Sequence, residues 1–144
     1  MNSEQHGLFK ITQNIFLVNE EGGLLLLQHN SGKWLLVGGR LNVSERWDNG
    51  LRREVKEETG ISDFSIDGIL QVDNWEHKGL HQYGVFFVGK TKKENKISLS
   101  DEHINYKWVK NMEEIKELDF WSTELKERIL GGFKKIQNLP GRFL

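Results

Sequence analysis

The sequence predicts an α/β fold in which helices pack on a mixed β-sheet. Three observations support this class. The chain has 144 residues, the usual size of a single domain, so we expect residues 1–144 to form one unit. With 37% hydrophobic residues, five Trp and eight Phe, it carries enough apolar side chains for a packed core. Strand-like segments come first, a helical segment interrupts them, and further strands and then helices follow.

Apolar runs between glycine-containing or polar turns predict the strands. Residues 8–18 and 24–28 flank the turn sequence NEEGG and indicate a hairpin. Residues 34–37 predict a short buried strand that ends at Gly38 and Gly39. Four later strands are predicted at residues 64–75, 81–88, 96–99 and 106–109. Together these segments supply the strands of one sheet.

Three helices are predicted. The first covers residues 47–59 and ends at Gly60, because glycine readily adopts the left-handed conformation of a helix terminus. Asn111, followed three residues later by Glu114, is typical of a capping box and predicts a short second helix. Residues 123–137 carry apolar side chains at helical spacing and predict an amphipathic helix near the end of the chain.

Composition and charge exclude several classes of function. Twenty basic and twenty-one acidic residues give a net charge of −1, so we expect neither nucleic acid nor an anionic membrane as a partner. No apolar run is long enough to cross a bilayer, and the N-terminal residues are polar. The chain has no Cys, which excludes a thiol nucleophile. We expect a cytoplasmic protein. A small anionic substrate is compatible with the nearly neutral net charge, because a bound cation can recruit such a substrate locally.

The helix at residues 47–59 places acidic side chains beside its apolar side. On a helical wheel, Glu54, Glu57 and Glu58 border or overlap the stripe that must be buried. Two carboxylates about 6 Å apart repel by roughly 3 kcal/mol at an effective dielectric constant near 20. A hard divalent cation with oxygen ligands would remove that repulsion. The alternative is a surface helix with weak ion pairs, but a solvated cluster should face away from the apolar stripe.

The residues around this helix have a more specific spacing than the helix itself. The pattern is Gly39, five residues, Glu45, seven residues, Arg53-Glu54-Val55, one residue, Glu57-Glu58, one residue, Gly60-Ile61. All nine specified positions match the Nudix box. The chain therefore resembles the Nudix hydrolase family. The box spans 23 residues, and the order of strands on both sides is also similar to that of the family.

This resemblance implies a fold, a reaction and a cofactor. The fold would be the Nudix α/β/α sandwich, with a mixed β-sheet and the box as a loop–helix–loop motif. The reaction would be hydrolysis of a nucleoside diphosphate linked to another moiety, X, by attack of water on a phosphorus of the pyrophosphate. Mg²⁺ or Mn²⁺ would assist by polarising phosphoryl oxygens and neutralising the leaving phosphate.

The resemblance also assigns roles to residues of the box. Glu54, Glu57 and Glu58 would be metal ligands, and Glu54 would also be a candidate general base. The backbone carbonyl of Gly39, or of its neighbour Gly38, would be a further ligand, because glycine lets the backbone approach a metal closely. Three further residues take catalytic or supporting roles: Arg53, which would orient a neighbouring glutamate, Glu45, with a structural or electrostatic role, and Gly60, which ends the helix.

A further acidic residue is expected from outside the box. Many family members place one in a loop before a Trp-Val strand, and residues 100–109 have that form. Glu102 is the candidate for a metal ligand or general base, with Asp101 and His103 as substitutes. A solvent-exposed glutamate at a loop tip is the alternative. A general base must reach the attacking water, which only the geometry can establish.

The candidates for substrate binding are Arg40, Trp34 and Tyr83. Arg40 directly follows the two glycines of the box, while the two aromatic residues could stack on a base or line the cleft. Core packing is the alternative for both aromatic residues. The loop at residues 73–82 is expected to contribute to recognition of X, which the sequence does not identify.

A non-catalytic Nudix-like module that binds or senses a nucleotide is the alternative function. Such a module would be expected to lack box glutamates, and none is missing here. A Nudix-type isoprenoid diphosphate isomerase would rely on a cysteine, which the chain does not contain. A homodimer is neither supported nor excluded by the sequence.

Overall fold

The structure, a computed structural model, describes residues 6–92 and 96–139. Within these residues the chain forms six strands and three helices. The strands are β1 (Phe9–Val18), β2 (Leu24–His29), β3 (Trp34–Arg40), β4 (Gly68–His77), β5 (Leu80–Lys90) and β6 (His103–Val109). The helices are α1 (Trp47–Thr59), α2 (Met112–Lys116) and α3 (Thr123–Gln137).

The strands form one mixed sheet in the order β4-β5-β1-β3-β2-β6. β1 runs parallel to β5 along its whole length, and the other neighbouring strands are antiparallel. β1 and β2 form the predicted hairpin and pair through Val18 and Leu24. The mixed sheet expected from the sequence is therefore confirmed.

Helices cover both faces of the sheet, because successive side chains of a strand point in opposite directions. On β1, Ile15 packs in the core layer that contains Leu51 and Val55 of α1. The next residue, Phe16, points to the other face and packs in the layer that contains Phe133 of α3. The predicted α/β/α sandwich is confirmed, with α1 on one face and α2 and α3 on the other.

The predicted strand at residues 96–99 is wrong. These residues form no strand; Ile97 and Leu99 instead pack against the core layer that α1 covers. The Ser98 N–H donates to the Thr59 carbonyl, 2.8 Å away, at the end of α1. Alternating apolar residues therefore anchor this segment beside the helix terminus without forming a strand.

Several predicted strand boundaries also differ from the structure, and β6, for example, begins at His103 and not at residue 106. β3 does not stop at Gly38 but continues through Gly39 to Arg40, because both glycines pair with β1. The strand predicted from residue 64 begins at Gly68, and Phe64 makes an isolated bridge instead. The extension of β3 brings the glycines of the box alongside α1.

The helix termini follow the predicted signals. α1 ends at Gly60, which has the expected left-handed φ of 78°, and its first turn has no side-chain cap at Arg46. The Glu114 N–H donates to Asn111 Oδ1 at 3.0 Å, which confirms the cap of α2. In the described part of the chain, no helix has the length and apolar character that crossing a membrane requires.

Candidate active site

A cavity of about 680 Å³ lies where β3, α1 and the loop before β6 meet. Its lining residues are Gly38, Gly39 and Arg40 from β3, Glu54, Glu57 and Glu58 from α1, and Ser100, Asp101 and Glu102 from the loop. The fold thus brings Glu54, Glu57 and Glu58 of the box together with the acidic loop, which is distant in sequence, at one cavity.

Glu58 is the most buried of the box glutamates, with 8% of the residue exposed. The Gly38 N–H donates to Glu58 Oε1 at 2.8 Å. Burial, reinforced by the negative charges of Glu54, Glu102 and Glu57, raises the pKa of Glu58 to about 8, although the Gly38 N–H opposes the shift. A cation in the cavity would therefore stabilise the ionised form.

Glu54 lies half-buried against β3. A Cβ at Gly39 would be 2.6 Å from Glu54 Oε2, so the absence of a side chain at Gly39 lets the carboxylate pack on the strand. Burial is the main reason that the pKa of Glu54 is raised, and the hydrogen bond from Arg53 opposes the shift. Glu54 is therefore a more basic carboxylate than one in water.

Arg53 connects the box loop to the helical glutamates. Its Nε lies 2.6 Å from Glu45 Oε2, and its NH2 donates to Glu45 Oε1 at 3.1 Å, so the ion pair is bidentate. Its NH1 donates to Glu54 Oε1 at 3.1 Å and to Glu57 Oε2 at 3.2 Å. The hydrogen bonds from Arg53 and from the Asn42 N–H lower the pKa of Glu45. One guanidinium therefore orients two glutamates that line the cavity.

Gly38 has a backbone conformation that other residues rarely adopt. Its φ is 146°, and an added Cβ would overlap the backbone of Gln13 and Asn14 on β1. This conformation allows its N–H to donate to Glu58. Gly38 therefore acts through its N–H, while a metal-binding carbonyl from Gly38 or Gly39 stays a prediction.

Glu102 belongs to a loop that is attached to the turn between β2 and β3. The Asn30 N–H donates to the Glu102 carbonyl at 3.0 Å, and Asn30 Nδ2 donates to the Asp101 carbonyl at 2.8 Å. These bonds leave the Glu102 side chain exposed at the cavity. The sequence analysis missed Asn30, since only the pairing of β2 with β6 brings it to this loop.

His103 follows Glu102 and is buried, with 6% of the residue exposed. Its Nδ1 lies 3.1 Å from Ser100 Oγ, and its Nε2 lies 3.9 Å from Glu58 Oε2. Burial lowers the pKa of His103, which disfavours the charged ring and an ion pair with Glu58. The sequence analysis named His103 only as a substitute for Glu102, and it missed Ser100.

The three predicted substrate-binding residues lie in different places. Arg40 lines the cavity. Trp34 is buried in the core layer on the α3 face, and a buried indole there offers no face to a ligand in the cavity. Tyr83 lies on β5, partly exposed and outside the cavity lining. Trp47 at the start of α1 is 43% exposed and stacks on Phe87 with 5.2 Å between ring centroids.

The donor chemistry of the cavity fits a hard divalent cation. Glu54, Glu57, Glu58 and Glu102 offer carboxylate oxygens, the ligands that Mg²⁺ and Mn²⁺ prefer. The raised pKa of Glu58 reflects a buried carboxylate that a cation would stabilise. Among the residues described, no three acidic or histidine side chains already have metal-binding geometry, so ligation requires these side chains to reorient.

The NUDIX domain family model matches residues 8–129. This chain belongs to the NUDIX family. Membership confirms the resemblance inferred from the box, and with it the enzyme class: the protein is a Nudix hydrolase. The family generally uses a divalent metal ion. No curated protein sequence matches the chain at a significant level.

Solved structures support the same fold. A MutT protein from Methanosarcina mazei Go1 is 29% identical with a TM-score of 0.77, covering 94% of this chain and 99% of that chain. An Ap4A hydrolase from C. elegans is 20% identical with a TM-score of 0.72, covering 89% and 95%. A dihydroneopterin triphosphate pyrophosphohydrolase from E. coli is 19% identical with a TM-score of 0.69, covering 85% and 95%. The last two establish similarity of fold alone.

Proposed function

We propose that this Nudix hydrolase cleaves the pyrophosphate bond of a nucleoside diphosphate linked to another moiety, X, by attack of water on phosphorus. The observation that carries the proposal is the position of Glu54, Glu57 and Glu58 in one cavity with Glu102. We expect Mg²⁺ or Mn²⁺ as the cofactor, with the three box glutamates and the Gly39 carbonyl as ligands. When bound, the ion would polarise phosphoryl oxygens and neutralise the charge of the leaving phosphate.

Arg53 and Glu45 orient two of the carboxylates that line the cavity. Glu45 holds the guanidinium from one side, and Arg53 in turn donates to Glu54 and Glu57. Arg53 therefore restrains Glu54 and Glu57 on the cavity side, which limits how far they must move when a metal binds. Arg53 itself points its donors at carboxylates, so we assign it an orienting role.

Two residues are candidates for the general base that accepts a proton from the attacking water. Glu54 is half-buried with a raised pKa, which suits a base that operates near neutral pH. Glu102 is exposed at the opposite wall of the cavity and is attached to a fixed loop. Substitution of each by Gln distinguishes them, because loss of the base changes the pH dependence of kcat and loss of a ligand changes the metal requirement.

Arg40 is the candidate phosphate-binding residue. It is exposed at the cavity, and a guanidinium can bind two phosphate oxygens at once. Tyr83 stays a weaker candidate for contact with X, since it lies outside the cavity lining. The similar structures are named for Ap4A, ADP-ribose, dihydroneopterin triphosphate and UDP-X, which all contain a pyrophosphate bond and therefore define the panel to be tested.

The substrate is expected to be a free nucleotide, with no role for nucleic acid or a membrane. A cytoplasmic location and a homodimer are compatible with this proposal. Neither is required by it, because every residue assigned above belongs to one chain.

The test is hydrolysis of this nucleotide panel by purified protein, with and without Mg²⁺, and chromatography of the products. Glu57→Gln removes one carboxylate charge from the cavity, and Glu127→Gln on α3 is a matched control outside the cavity lining. We expect metal-dependent cleavage that Glu57→Gln reduces at least about 100-fold and Glu127→Gln leaves unchanged. Tight binding without cleavage would favour the non-catalytic module. Cleavage that needs no metal would contradict the proposal.

A further inference from the structure

We propose that His103 is a positioning residue of the active site, whose ring connects Glu58 on α1 to the loop that carries Glu102. The inference rests on the proposed function, because it concerns the geometry of the same carboxylates. It adds a residue that lies outside the Nudix box and lines no part of the cavity.

Each carboxylate oxygen of Glu58 faces a different partner. One carboxylate oxygen, Oε1, accepts the Gly38 N–H at 2.8 Å. The second, Oε2, lies 3.9 Å from His103 Nε2. Glu58 is therefore held from one side by the backbone of β3 and faces a buried imidazole on the other. A small rotation of either side chain would bring the second contact to hydrogen-bond distance.

The opposite side of the His103 ring faces Ser100. His103 Nδ1 lies 3.1 Å from Ser100 Oγ, within the loop that also contains Glu102. When the Ser100 hydroxyl donates to Nδ1, the neutral ring carries its proton on Nε2, the atom that faces Glu58. The His103 N–H also donates to the Ser100 carbonyl at 3.2 Å, so the residue closes the loop on itself. In that tautomer the ring can donate from Nε2 towards Glu58.

This arrangement has a consequence for ligation. A carboxylate that binds a metal through one oxygen needs a fixed orientation, and hydrogen-bond partners outside the ligand shell usually supply it. Once Nε2 donates to Oε2, which now lies 3.9 Å away, His103 would hold Glu58 and the Ser100–Glu102 loop together. Substitution of such a partner typically lowers metal affinity or activity by 10- to 100-fold.

Two substitutions separate the two contacts of the ring. The amide nitrogen of Gln approximates the position of Nε2, and that of Asn approximates Nδ1. His103→Gln therefore retains a donor towards Glu58, while His103→Asn retains only the side that faces Ser100. His6→Gln, at an exposed position before β1, is the matched control.

The experiment measures kcat and KM for the best substrate of the panel, Mn²⁺ affinity by electron paramagnetic resonance, and Tm. We expect His103→Asn to lower kcat or Mn²⁺ affinity by at least about 10-fold with little change in nucleotide KM. His103→Gln should recover most of that loss, and His6→Gln should match the wild type. Equal values for all four proteins, or losses in both His103 variants that only follow a lower Tm, would overturn the proposal.

The same experiment tests the proposed function separately, through the turnover of the wild type. Absence of wild-type turnover would contradict the hydrolase proposal, whereas the Mn²⁺ affinities would still test His103. Wild-type turnover together with an unaffected His103→Asn would overturn the role of His103 and leave the hydrolase proposal standing.

Discussion

Arg53 and Glu45 form a bidentate ion pair, with Nε 2.6 Å from Oε2 and NH2 3.1 Å from Oε1. The Asn42 N–H also donates to Glu45 Oε1, at 3.1 Å, which fixes the carboxylate within its loop. The remaining face of the guanidinium donates to Glu54 and Glu57. Glu45 therefore acts on the catalytic cavity through Arg53, without lining the cavity itself.

The first prediction concerns this ion pair. Arg53→Lys removes the two-pronged geometry, and Glu45→Gln removes the charge that orients it. Each should lower kcat by about 10- to 100-fold with little change in KM, because the glutamates lose their orientation. Since both variants disrupt one network, the double variant should be less impaired than the product of the single effects. Steady-state kinetics of all four proteins checks this, and multiplicative effects would contradict it.

The second prediction concerns the adjacent residues Gly38 and Gly39, whose surroundings differ. Gly38→Ala places a methyl group against the backbone of β1 at a positive φ, so it should destabilise the fold by at least about 2 kcal/mol. Gly39→Ala meets only the movable end of Glu54, so it should lower activity with a smaller loss of stability. Urea unfolding and kinetics measure both effects.

Gly131→Ala on α3 is the control for these two variants, since an added Cβ there would meet no neighbour. Alanine favours a helix more than glycine does, so this variant should be as stable as the wild type or slightly more stable. Equal stability of Gly38→Ala and Gly131→Ala would show that the clash with β1 is absent in solution.

The third prediction concerns pH. Burial raises the pKa of Glu58 to about 8 in the folded protein, against 4.5 as its ordinary value. The folded state therefore binds this proton more tightly than the unfolded state, so its contribution to stability is lost as pH rises from about 4.5 to about 8. Glu58→Gln has no such ionisation. In metal-free buffer its Tm should clearly exceed that of the wild type at pH 9, and the difference should shrink as pH falls and vanish below about 4.5.

The fourth prediction concerns the metal. A cation that binds the folded protein raises its Tm by mass action. Mn²⁺ should therefore raise the Tm of the wild type, most strongly at high pH, where Glu58 is ionised. Glu54→Gln and Glu58→Gln should each remove most of this increase, and Glu127→Gln should retain it. An equal increase in all four proteins would indicate binding elsewhere.

The sequence predicted the parts of the fold that local signals determine. Gly60 and Asn111 mark helix termini through their own backbone or side-chain chemistry, and α1 ends and α2 begins where expected. Residues 96–99 were wrongly predicted as a strand, because alternating Ile97 and Leu99 satisfy the same pattern when they pack beside the end of α1. Burial by a neighbouring element and burial in a sheet give the same local signal.

The residues of the site also fall into those that local sequence patterns predict and those that depend on strand pairing. The spacing of the box predicted that Glu54 and Glu58 lie together, because one helix carries both. The contacts of Asn30 with the Glu102 loop and of Ser100 with His103 depend on the pairing of β2 with β6. No local pattern encodes such a pairing, so these supporting residues emerge only from the structure.

The central claim is that water attacks phosphorus in a metal-dependent reaction supported by the box glutamates. Turnover of the preferred nucleotide in water labelled with a heavy oxygen isotope, followed by mass spectrometry of both products, tests it most directly. We predict one labelled oxygen on a phosphate product in the presence of Mg²⁺, and neither label nor product without metal or with Glu57→Gln. Label in a non-phosphate product, or undiminished turnover by Glu57→Gln, would contradict the account.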